Sequence, residues 1–142
     1  MKKFLLGIAT VLCIVLMFCC CNENKVFESD IELIENSDLE IVTQSSEYSK
    51  DTKKVVYTIT NKADKESSCS AEGFSLQKLE DGVWMTVGFK KTIGFNALAQ
   101  VLALGEKTQR EIDLNEYFHL PLEKGEYRII VDYTASNTFL IN

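Results

Sequence analysis

The chain has one histidine (His119), one proline (Pro121), one tryptophan (Trp84) and, past residue 21, one cysteine (Cys69). Each scarcity removes a class of chemistry. A lone imidazole with no second histidine, cysteine or carboxylate at ligand spacing builds no metal site, so no metal or cofactor ligand is assigned and His119 reads as a structural or surface residue. A single cysteine in the body supports neither a disulfide framework nor a zinc cluster. Cys69 also has no neighbouring base that would activate a nucleophile. The serines of Ser45-Ser46, Ser67-Ser68 and Ser70 lack a Gly-x-Ser-x-Gly elbow, and there is no phosphate-cradling glycine loop. Acidic pairs such as Glu80-Asp81 and Glu35/Asp38 read as turn residues. No catalytic residue is assigned, and the expectation is a protein that is not an enzyme. Basic residues are also in deficit, 15 against 21 acidic ones, for a net charge of −6. Such a chain gains nothing from counterion release on a phosphate backbone, which argues against nucleic acid as a partner. Anionic lipid headgroups would likewise repel it, so any membrane attachment must be by insertion or by lipid and not by surface charge.

What is present begins with the leader. Met1-Lys2-Lys3 precedes an apolar run from Phe4 to Phe18, and Cys19-Cys20-Cys21 gives way to Asn22-Glu23-Asn24-Lys25. A basic start, an apolar core and a small-residue end describe a secretory signal peptide. The cysteines at its boundary resemble a bacterial lipoprotein signal over residues 1–20, with Cys21 as the acylated residue and Cys20 as the alternative. The position three before Cys21 holds Phe18, where the usual signal has leucine. The competing readings are a retained anchor, since Phe4–Cys21 is just long enough to span a bilayer, and plain secretion. With residues 1–20 removed, 13 basic and 21 acidic residues remain, a charge of −8. Either membrane-bound reading places the domain at the cell membrane, facing the extracytoplasmic side.

The remainder reads as a polar spacer, 21–30, and one domain, 31–142. Period-two alternation marks strands. Ile31–Glu35 and Leu39–Val42 are expected as the first two. Lys53–Asn61 follows, with Val55, Tyr57 and Ile59 on one face. Phe74–Leu79 and Val83–Val87 flank Asp81-Gly82, a strong hairpin signal. Trp84 is expected over the core, its N–H reaching a partner at the edge. Phe95–Leu104 fits either a helical turn or a bent strand. Lys107–Leu114 alternates Thr108, Arg110, Ile112 and Leu114 with polar residues, and Thr138–Ile141 adds a last strand. Between them, Leu120-Pro-Leu-Glu-Lys-Gly-Glu-Tyr127 turns into a strand carrying Tyr127, Ile129, Val131 and Tyr133 on one face. About seven short strands with no long helix indicate an all-β antiparallel sandwich. Tyr127 is expected to form a tyrosine corner, its hydroxyl bonded to backbone a few residues upstream.

Over residues 55–133 the chain resembles the bacterial immunoglobulin-like domains of small extracellular lipoproteins. The resemblance rests on Phe74-Ser-Leu-Gln-Lys78 through Gly82-Val-Trp84, on Leu104-Gly-Glu106, and on Leu120-Pro-Leu-Glu-Lys-Gly-Glu-Tyr-Arg-Ile129. The proline before Gly105 is missing, and Gln77 stands where an acidic residue is expected. The resemblance implies an immunoglobulin-like sandwich and an extracytoplasmic setting. The family shares architecture and no reaction, so no functional residue carries over. The expected function is a lipid-anchored, non-catalytic binding module of a bacterial envelope with a protein or other envelope ligand. The alternative is a structural or accessory domain of a larger envelope complex, and behind both stands a small hydrolase or enzyme inhibitor. Arg128 fits an outward strand residue paired across the sheet better than an anion ligand. Phe89, Phe95, Tyr117 and Phe118 read either as core packing or as a ligand-binding rim.

Overall fold

The structure is a computed structural model that describes residues 23–35 and 37–142. The leader and Cys20 and Cys21 lie outside the described residues. Among the described residues twelve strands and one short helix follow in order: β1 (Val26–Glu28), β2 (Leu39–Thr43), β3 (Glu47–Tyr48), β4 (Lys54–Asn61), β5 (Ser67–Ser70), β6 (Ser75–Glu80), β7 (Val83–Val87), β8 (Ala99–Leu102), β9 (Lys107–Asp113), α1 (Leu114–Tyr117), β10 (Gly125–Val131), β11 (Thr134–Ala135) and β12 (Phe139–Ile141).

One sheet runs β1-β7-β6-β10-β12-β3, with β11 on β10. A second runs β2-β4-β9, and β5 and β8 form a separate ribbon. Described pairings are antiparallel except β12 with β3. The two sheets bury their apolar faces against each other. Ile41, Val55, Tyr57, Ile59 and Ile112 from the smaller sheet share one core with Leu76, Val87, Tyr127, Ile129, Val131, Phe139 and Ile141 from the larger. This is the all-β immunoglobulin-like sandwich that strand alternation implies, because alternate side chains of each strand have one common interior to enter.

The turns follow from local chemistry. Asp81 and Gly82 adopt φ of 48° and 80°, the left-handed pair that matches a tight hairpin to strand twist. Asp132 and Tyr133 do the same at 46° and 64° between β10 and β11, with no glycine to relieve it. Asp113 caps α1 by accepting from the Asn115 and Glu116 amides, and Phe118 ends the helix in extended conformation.

Three expectations change and one open reading is decided. Val26–Glu28, read as spacer, is an edge strand on β7. Ile31–Glu35 is not a strand. It connects the edge of one sheet to the other, with the Ile34 amide bonded to the Tyr133 carbonyl at 3.0 Å, so its alternation meets no ladder partner. Of the two readings of Phe95–Leu104, the strand is found, at Ala99–Leu102. Trp84 pairs with Leu79 on the outward face, because Val87, three residues on, points inward. It is half-buried under Arg128 and not part of the core.

Candidate functional site

Three polar assemblies and one apolar surface distinguish this sandwich from a plain core. The first is where the chain crosses between sheets ahead of β10. Tyr127 is almost fully buried and its hydroxyl donates to the Glu123 carbonyl at 2.7 Å. Its ring stacks on Phe139 at 6.0 Å between centroids. Burial pushes the phenol up to about 12, against the Lys78 charge that opposes the rise. Lys78 lies opposite Tyr127 in the register and is itself buried, with its ammonium bonded to Glu80 at 2.9 Å and to Glu123. Burial alone would lower that ammonium, but the two carboxylates outweigh it and hold it above its ordinary value.

The second assembly lies between β9 and the β5–β8 ribbon. Arg110 pairs with Tyr57 in register, and its Nη2 donates to Cys69 Sγ at 3.3 Å and to Gln100 Oε1 at 3.2 Å. Its Nη1 is buried without a hydrogen-bond partner among the described residues. Burial raises both the Tyr57 phenol and the Cys69 thiol, and the guanidinium offsets part of each rise. A buried thiol held above its ordinary value is a poor nucleophile.

The third is Asn61, which is fully buried. Its Nδ2 donates to the carbonyls of Lys65, Leu102 and Ala103 at 2.8, 3.0 and 3.1 Å, while Oδ1 accepts from the Ala63 amide. One side chain thus ties the turn after β4 to the turn after β8.

Other residues singled out in the sequence take structural places. Arg128 Nε donates across the strands to Gln77 Oε1 at 2.8 Å, and its guanidinium carbon lies 4.1 Å from the centre of the Trp84 ring. Burial lowers its pKa. Phe74, Phe89, Phe95, Tyr117 and Phe118 form one packed cluster with ring centres 5.0–6.5 Å apart. They pack in or against the core, which favours packing over a rim. His119 contributes its backbone, clamped by both polar atoms of the Asn24 amide at 2.7 Å each. Among the described residues no group of three or more His, Cys, Asp or Glu gathers to hold a metal.

The apolar surface is assembled from four separate segments. Ser68 and Asp132 line two adjoining hollows of about 380 and 370 Å3. Ile34 and Tyr133 flank the first and Leu98 the second, while Val101 sits opposite Ser68 in the ribbon. These four apolar residues are 55%, 58%, 65% and 60% exposed. Asp132 fixes the arrangement by accepting from the Ser70 amide. No sequence signal joins these residues, because Ile34, the Leu98–Val101 segment and Tyr133 lie far apart in the chain.

No curated protein matches the chain at a significant level. Among solved structures, it is similar to Pseudomonas fluorescens alkylpurine DNA glycosylase AlkC bound to DNA containing an abasic site analog. The identity is 11% over 75% of this chain and 31% of that one, with a TM-score of 0.39. This chain spans less than a third of that protein, and the likeness is too weak to extend to chemistry. The family comparison is of a different order, since the model of a bacterial Ig-like domain matches residues 35–140, nearly the whole sandwich. With two sheets closing on one core across that same span, the chain belongs to the bacterial Ig-like domain family.

Proposed function

We propose that the protein is a lipid-anchored, non-catalytic interaction module on the extracytoplasmic side of a bacterial cell membrane. The proposed anchor is Cys21, with Cys20 as the alternative, and the proposed partner is another envelope protein. One observation carries the interaction reading: Ile34, Leu98 and Tyr133 line a pair of hollows that share Ser68 and Asp132, Val101 lies opposite Ser68, and all four are more than half exposed. Single exposed apolar residues are ordinary on any protein, whereas a contiguous group marks a contact surface. The β5–β8 ribbon and the Asp132–Tyr133 turn present it on short, tied-down segments, which lowers the ordering cost of binding.

The test is site-specific photo-crosslinking in cells. A photoreactive residue at Val101 should yield a discrete adduct that Leu98→Glu abolishes. The same residue at Gln109, on the exposed face of β9, should not. Equal adducts from both positions, or none from Val101, would refute the surface assignment. The anchor is tested separately by metabolic labelling with a palmitate analogue, which should vanish when Cys20 and Cys21 are both replaced by Ala.

A further inference from the structure

Chain length ties one face of the sandwich to the bilayer. The folded body begins almost at the proposed anchor: Asn24 is clamped to His119, the Gly88 amide bonds the Lys25 carbonyl at 2.7 Å, and β1 pairs from Val26. Only three residues lie between Cys21 and Lys25, so over four chain steps their Cα atoms can be no more than about 14 Å apart. A domain tethered this closely cannot rise clear of the headgroups, and whatever flanks Lys25 is held against them.

What flanks Lys25 is a groove of about 510 Å3 between β1 and the segment after β7. Phe27, 52% exposed, and Ile93 supply apolar walls. Lys25 and Lys91 line it together with a single acid, Asp30, and Lys90, next to Lys91, bonds the Asn115 carbonyl. The local sign is thus opposite to that of the whole chain. Thr86 lines the same groove, and its Oγ1 is buried with no hydrogen-bond partner among the described residues.

We propose that this groove seats the domain on the membrane surface, with Phe27 and Ile93 entering the interface and Lys25 and Lys91 meeting the phosphates of anionic lipids. An aromatic and an aliphatic side chain rimmed by lysines suit that boundary, where apolar stems are buried and charged tips stay wet. The proposal rests on the lipid anchor, and it makes the domain lie along the bilayer by its β1 edge. The opposite edge of that sheet, β3, is five strand spacings away, roughly 24 Å.

The test uses the full chain, processed and lipidated by its host, in vesicles of phosphatidylcholine with phosphatidylglycerol. An environment-sensitive fluorophore is placed at Thr92→Cys in the groove or at Glu47→Cys on β3, and vesicles carry a lipid-borne quencher. Quenching several-fold stronger at Thr92 than at Glu47 is expected, and it should fall to the Glu47 level when Phe27→Asp is combined with Lys25→Glu and Lys91→Glu. Equal quenching at the two positions in a chain that co-sediments with vesicles leaves the anchor standing and overturns the groove. So does strong Thr92 quenching that survives the triple replacement. A chain that does not co-sediment removes the anchor, and the groove proposal with it.

Discussion

Replacing Tyr127 by Phe isolates one hydrogen bond from the packing around it. The ring stays against Phe139, so the apolar burial of a nearly inaccessible side chain cancels between the two proteins. What disappears is the 2.7 Å bond from the hydroxyl to the Glu123 carbonyl. Such a bond is worth about 1 kcal/mol net, and up to about 3 kcal/mol when a partner is left stranded. Glu123 is exposed, so water can take up its carbonyl, and the expected loss near neutral pH is about 1 kcal/mol. The same hydroxyl leaves a second signature at high pH. In the unfolded chain a tyrosine titrates near 10, whereas burial holds Tyr127 at about 12. Below about pH 10 both states keep the proton and the native state loses nothing. Between about pH 10 and 12 only the unfolded chain releases it, so stability falls by about 1.4 kcal/mol per pH unit, reaching roughly 2–3 kcal/mol. The Tyr127→Phe protein lacks that contribution, and its alkaline decline should be shallower by this amount. Tyr57 and Tyr117, also raised by burial, contribute equally to both curves. Urea denaturation across the pH range measures both effects. Coincident midpoints near neutral pH, or parallel alkaline curves, would refute the reasoning.

Three further substitutions probe the other assemblies. Asn61→Ala strips four hydrogen bonds from a fully buried position and should cost about 2–4 kcal/mol in urea denaturation; a loss under about 1 kcal/mol would mean the two turns hold without it. Arg110→Met removes a partly desolvated cation that has no ion-pair partner among the described residues. Stability should change by less than about 1 kcal/mol, and a loss above about 3 kcal/mol would show a stabilising interaction here. Tyr133→Gly relieves a left-handed backbone at φ 64° and should raise the thermal midpoint, with a gain of about 1 kcal/mol, while weakening the crosslink from Val101.

The strands most legible in the sequence were those whose alternation separates a buried face from a wetter one. In β4, β9 and β10 the alternation of Val55-Tyr57-Ile59, Arg110-Ile112 and Tyr127-Ile129-Val131 reports a real inside and outside. Asp81-Gly82 was legible because few residues other than glycine accept its backbone angles. Edges were not. Val26–Glu28 is exposed throughout, so no hydrophobic period marks it, and only backbone pairing to β7 makes it a strand. The ribbon strand β5 is nearly all serine. Trp84 was misplaced by weighing its size above its register, since the alternation that puts Val87 inside already puts Trp84 outside. The polar knot at Asn61 was hidden for a further reason: its partners at Leu102 and Ala103 lie about forty residues away, and local sequence carries no trace of that pairing.

Tyr133 shows why the apolar surface is more than leftover hydrophobicity. A β10–β11 turn with φ of 46° and 64° at its two central residues asks for Asn-Gly or Asp-Gly, and the other turn of this kind here has Asp81-Gly82. At the second site the sequence keeps the aspartate and places a tyrosine where glycine would fit, a choice that costs about 1–2 kcal/mol of backbone strain. The ring does not recover this in the core, because it is 58% exposed. It stands beside Ile34, whose amide the Tyr133 carbonyl accepts, above a turn that Asp132 ties to Ser70. A strained residue that neither packs inside nor eases its turn is explained by what it presents outward. The groove proposed to seat on the membrane lies at the β1 edge of the large sheet, whereas this turn and the β5–β8 ribbon involve other strands. A domain seated by one surface would thus keep the other free for a partner, and Tyr133→Gly should separate the two: vesicle quenching at Thr92 unchanged, the Val101 crosslink reduced. Loss of both together would mean the two surfaces are one.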